Sequence, residues 1–165
     1  MRVSTLLLCL TLSACGWQLR GEVAPLMLDT VTLRGAEART RYDIESALLK
    51  RNVLVADTAP IIMQLSQERW WKRTVVVDAQ ARSAGVELRY EIQWQLLDPS
   101  GPPLTPRREV VLTRVYQVDP TNALATSDEE RLTREIMRND AAELLMQQLS
   151  AESIRLSVPS IREGH

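Results

Sequence analysis

Residues 69 to 73 read Arg69-Trp70-Trp71-Lys72-Arg73, three cations around two adjacent indoles. Guanidinium and ammonium groups take phosphate or carboxylate oxygens, and indole faces cover apolar tails, so the stretch suits an anionic ligand with an apolar part. Arg82 follows in the turn region expected before the next strand. Side chains alternate along a strand, so the two tryptophans face opposite sides unless a bulge intervenes. The same residues also fit a plainer role: a strand edge guarded by charge, with one tryptophan packed under a helix. The pattern is compatible with both.

Little else in the chain offers reactive groups. The one histidine, His165, is the last residue, so neither a zinc cluster nor a Ser-His or Cys-His dyad can be assembled. Carboxylates remain. Asp128, Glu129 and Glu130 belong to an expected helix start, and Asp43 and Glu45 point to different helix faces. Nothing completes an acid/base constellation, so no catalytic activity, cofactor or metal is expected. With 6 glycines there is no phosphate-cradling loop. Lys+Arg number 20 against 21 Asp+Glu, a net charge of −1, which gives no basic field for nucleic acid.

The amino terminus carries the most specific chemistry. Arg2 precedes an apolar run from Val3 to Leu12, followed by Ser13-Ala14-Cys15. These are the three parts of a secretory signal, and the run is shorter than the ~20 apolar residues that a membrane-crossing helix needs. Leu12-Ser13-Ala14-Cys15 resembles the bacterial lipobox, in which the cysteine thiol takes a diacylglycerol and the new amino group is acylated after cleavage. One chain anchors marginally and two or more anchor stably. Residues 1–14 are therefore expected to be a signal peptide and Cys15 the lipidated first residue. Cys9 then leaves with the signal and Cys15 is blocked, so no disulfide forms and stability must come from the core.

Hydrophobic periodicity organises the rest. Leu26–Arg34 reads as a strand ending at Gly35, and Arg39–Arg51 as an amphipathic helix with Asn52 as a left-handed cap. Pro60 opens a long strand or bulged pair from Ile61 to Val77. From Val86 to Leu96, apolar residues alternate with Glu87, Arg89, Glu91, Gln93 and Gln95, giving a strand with one dry and one wet face. Asp98-Pro99-Ser100-Gly101 has the composition of a type I turn, and Glu109–Val118 reads as the return strand. Ser127 with Glu130 has capping-box spacing, which predicts a helix from there to about Ser150. The expectation is an α+β two-layer sandwich: a four-stranded, mostly antiparallel mixed sheet with two helices packed on one face, forming one domain over 15–156. Residues 157–165 are expected to be a flexible tail. The uncovered sheet face is polar, as is the lumen of an outer-membrane barrel.

Several segments together resemble the LptE (RlpB) family of lipopolysaccharide-assembly lipoproteins. They are Cys15-Gly16-Trp17-Gln18-Leu19-Arg20-Gly21, Asp119-Pro120 before Ala123-Leu124-Ala125, and Glu135-Ile136-Met137-Arg138 with Ala141-Ala142, Leu145 and Leu149. The resemblance implies a non-enzymatic lipoprotein anchored in the Gram-negative outer membrane, a destination that Gly16 after the cysteine also suggests. It further implies a plug in the lumen of the barrel protein LptD, which it helps to assemble, and a part in placing lipopolysaccharide in the outer leaflet. Arg82 matches a basic position expected to meet lipid A phosphates, with Lys72, Arg73 and Arg69 as further lipopolysaccharide-binding candidates. Where some relatives carry a lysine before the last helix, Ala125-Thr126-Ser127-Asp128 has none. Two other readings stay open: a periplasm-facing lipid carrier or chaperone with an acyl-chain cavity, and a purely structural envelope lipoprotein.

Overall fold

The computed structural model describes residues 28–80, 83–119 and 121–157. The signal segment, Cys15, Arg82, Pro120 and the tail beyond Ser157 lie outside the described residues. The elements run β1 (Thr30–Arg34), α1 (Ala38–Leu49), β2 (Leu54–Val55), β3 (Ile62–Val77), β4 (Ser83–Leu97), β5 (Arg108–Gln117) and α2 (Ala123–Ser157). The sheet order is β2-β1-β3-β4-β5, parallel where β1 meets β2 and β3, and antiparallel from β3 onward.

The α+β class and the mixed pairing agree with the periodicity, but the sheet has five strands rather than four. The additional strand, β2, is two residues long, too short to show a period. It forms because the chain leaving α1 returns beside β1, where Leu54 N–H donates to Asp29 O at 2.9 Å and Ala56 N–H to Val31 O at 3.0 Å. Asn52, at φ 61°, supplies the left-handed residue that turns the chain there.

The long helix differs from expectation at both ends. It begins at Ala123, not after Ser127, because Asn122 caps it: its Oδ1 accepts from Ala125 N–H at 3.0 Å. Ser127 and Glu130 are thus interior helical residues. At the other end the helix continues past Ser150 to Ser157, held where Arg108 pairs with the buried Glu152.

The β3–β4 hairpin is the spine of the molecule. Met63 and Leu65 on β3, Val86 to Leu96 at alternate positions on β4, and Val110 and Tyr116 on β5 turn one face inward. Ile44, Ala47 and Leu48 of α1 and Met137, Ala141, Leu145, Met146 and Leu149 of α2 close over that face. Both helices are tied to the same side. Trp94 Nε1–H donates to Gln148 Oε1 of α2 at 2.8 Å, while Tyr90 reaches α1 through Glu68, which also accepts from Thr40. The opposite face carries Glu87, Arg89, Glu91, Gln93 and Gln95 of β4, as the alternation predicts.

Candidate functional site

The hairpin positions the aromatic and basic residues. A bulge between Ser66 and Arg69, with Gln67 at φ 50°, resets the alternation of β3. Glu68 thereby turns toward the helices, and beyond the bulge Trp70 pairs across with Tyr90 while Trp71 pairs with Arg89. The two indoles consequently part. Trp70 packs against the core, its ring 4.2 Å from that of Tyr90. Trp71 stands on the open face, 41% exposed. Since β1 pairs only with Ile62–Gln64, the rest of β3 is a strand edge. The ligand-like and the guarded-edge readings of this stretch therefore share the same residues.

The four basic candidates do not form one group. Arg69 and Arg73 lie on the open face opposite Glu91 and Glu87, and Arg73 donates to Glu87 at 2.8 Å. Together with Trp71, Glu87 and Arg89, Lys72 and Arg73 line a recess of about 510 Å³. The Lys72 ammonium is directed to the helical side, where it donates to Glu130 Oε2 at 2.5 Å. Arg82 is outside the described residues, and so is Cys15.

Sequence reasoning missed Glu130 as more than a capping acid. Its carboxylate accepts from Lys72, from the Tyr116 hydroxyl at 2.8 Å and from Arg134 at 2.9 and 3.1 Å. Burial alone would raise this carboxyl, but the donors outweigh it and hold it at about 2, against an ordinary 4.5. Correspondingly the Glu130 hydrogen bond raises Lys72, and burial, with the same carboxylate, raises Tyr116. Arg134 is also stacked over Trp70 at 4.7 Å. One carboxylate thus joins β3, β5 and α2. Burial likewise pushes the Tyr90 phenol up, keeping it a neutral donor to Glu68.

The open face carries mixed charge. Arg69, Arg73 and Arg89 are interleaved with Glu87 and Glu91, and Val111 and Val115 of β5, across β4 from Trp71, add exposed apolar area. Such a surface offers both donors and acceptors of hydrogen bonds. The Arg73–Glu87 pair is solvent-exposed, a class worth about 0–1 kcal/mol. Arg73→Ala is therefore expected to change unfolding free energy by less than about 0.5 kcal/mol in urea titrations. A larger loss would make Arg73 a fold residue and remove it as a test of ligand contact. Among the described residues no helix is long and apolar enough to cross a membrane.

Several solved structures share this arrangement of sheet and helices. The chain superposes on the rare lipoprotein B from Shewanella oneidensis with TM-score 0.67 at 23% identity, covering 78% of this chain and 99% of that one. It superposes on a lipoprotein B from Nitrosomonas europaea with TM-score 0.68 at 26% identity, covering 82% and 91%. A minor lipoprotein from Acinetobacter baumannii gives 0.65 at 18% identity, covering 77% and 94%. No curated protein sequence matches significantly. The family model described as "LptE: Lipopolysaccharide-assembly" matches residues 27–149, from just before β1 to within the last turns of α2. That match spans the sheet, both helices and the Glu130 junction, and by it the chain belongs to the LptE family of lipopolysaccharide-assembly lipoproteins.

Proposed function

We propose that this protein is a lipid-anchored lipoprotein of the outer membrane that occupies the lumen of the LptD barrel, assists its assembly and helps place lipopolysaccharide in the outer leaflet. The family match over residues 27–149 carries this reading. The physical layout is consistent with it. A body with helices on one side presents a hydrogen-bonding sheet face on the other, and barrel interiors are polar. The layer between sheet and helices is filled by Trp94, Tyr90, Met137, Leu145 and Met146, where an acyl-chain carrier needs open volume. Cys15 tethers the body to the membrane in this scheme, and the proposed contacts to lipopolysaccharide are Arg69 and Arg73, exposed on the sheet side, together with Arg82. The Lys72 ammonium is engaged by Glu130 and is the weakest of these candidates.

The test is extraction in mild detergent with an affinity-tagged chain. A large barrel protein, identified as LptD by mass spectrometry, is expected at near one-to-one ratio, and labelled fatty acid is expected on the wild type but not on Cys15→Ala. Recovery of the chain alone, in repeated mild extractions, would refute the plug.

A further inference from the structure

Three arginines of α2, Arg131, Arg134 and Arg138, recur at i, i+3 and i+7, which places them on one helical face. Arg39, in the first turn of α1, joins them where the two helices meet. With Ser127 and Glu130 they line an open recess of about 410 Å³. This recess lies on the helical side of the molecule, away from the sheet face assigned above to the barrel.

Its charges are unevenly neutralised. Glu130 is shared among Lys72, Tyr116 and Arg134, so it is saturated by donors. Asp43 pairs with Arg138 through one bond, Oδ2 to Nε at 3.2 Å. Arg131 meets Asp128 at 3.6 Å and Glu135 at 3.9 Å, long contacts between exposed side chains that are worth little. For Arg39 the structure gives no carboxylate partner among the described residues, and it sits at the positive end of the α1 dipole, where a cation is disfavoured. The recess therefore has a fixed floor, Arg134 on Trp70 and Arg138 on Asp43, and two movable cationic arms, Arg39 and Arg131. A tetrahedral dianion suits that arrangement, because guanidinium groups bind phosphate through paired hydrogen bonds and exposed arms can swing to meet it. The volume exceeds what a bare ion needs and leaves room for the sugar or headgroup bearing the phosphate.

We propose that this arginine-lined recess between α1 and α2 is a binding site for a phosphate group carried on a larger molecule. The site rests on the recess geometry; the choice of lipopolysaccharide as the first probe rests on the proposed function. The experiment uses the full acylated chain in mild detergent and three probes: lipopolysaccharide, the same lipopolysaccharide after enzymatic dephosphorylation, and inorganic phosphate as competitor. The Arg39→Gln/Arg131→Gln double variant changes two exposed side chains outside the core. It is expected to bind intact lipopolysaccharide about tenfold more weakly than the parent, with binding of the dephosphorylated form unmoved. If only inorganic phosphate binds, and does so through the same two arginines, the larger carrier is overturned and the recess is a site for free phosphate. Equal binding of all three probes by parent and variant overturns the site. The double variant is also expected to bring down the barrel as the parent does. Loss of the barrel from the parent would defeat the plug without touching the phosphate result.

Discussion

Trp94→Ala is expected to lower unfolding free energy by about 4 kcal/mol, the largest single loss of any substitution considered for this protein. The indole is fully enclosed, at 0% exposure, between β4 and α2. Truncation removes a large transfer contribution and leaves a cavity that rigid neighbours do not fill; buried Trp→Ala changes lie at about 3–5 kcal/mol. A polar contribution adds to it. Trp94 Nε1–H donates to Gln148 Oε1, and Gln148 Nε2–H in turn donates to Glu109 O at 3.1 Å. Without the indole, the first acceptor loses its partner while the second bond survives, so Gln148 stays near β5 with a poorly paired oxygen. Trp71→Ala is the matched control: the same truncation on the open face should change stability by less than about 1 kcal/mol. Urea titration of both variants decides the point. Similar losses for the two tryptophans would mean that the layers are not packed as described.

The contrast between the two kinds of tryptophan is legible in the alternation. From Val86 to Leu96 the dry residues fall at every second position, which puts Trp94 inside, and the period of two separates Trp70 from Trp71. Asp98-Pro99-Ser100-Gly101 is legible too: Gly101 N–H donates to Asp98 O at 2.8 Å, and Gly101 takes φ 115°. Local patterns fail where other partners decide. Leu54–Val55 becomes a strand only because β1 lies beside it. Ser127 and Glu130 have the spacing of a capping box, yet the helix has already started upstream of them. Asn122 N–H donates to Asp119 O at 3.1 Å, and that turn delivers the Asn122 side chain to cap the helix first. Glu130, left without a cap to complete, is drawn to Lys72, 58 residues away in the chain. The arginine row on α2 is countable from its i, i+3, i+7 spacing. That Arg39 faces it is not, because the meeting of α1 with α2 is a property of the packed layers.

Acidification is expected to weaken the fold by about 2–3 kcal/mol between pH 4.5 and 2 through Glu130 alone, and Glu130→Gln should abolish that part of the pH dependence. The sign follows from the two states. Folded, the carboxyl is held at about 2 by its three donors; unfolded, it returns to about 4.5. Above that value it is ionised in both states and the full stabilisation is present. Between the two values the unfolded chain binds a proton that the folded chain does not, so stability falls with pH and is lost through the folded value near 2. Exposure of half of the Lys72 side chain admits solvent screening, which keeps the contribution below the full shift. Urea titrations of wild type and Glu130→Gln at about pH 7, 4 and 2.5 give the comparison. The variant should be weaker by about 2 kcal/mol at neutral pH, with the two curves converging as the pH falls. Curves that stay parallel would show that other carboxylates carry the acid response. Convergence would instead locate it where β3, β5 and α2 are joined, at a carboxylate that also lines the arginine recess.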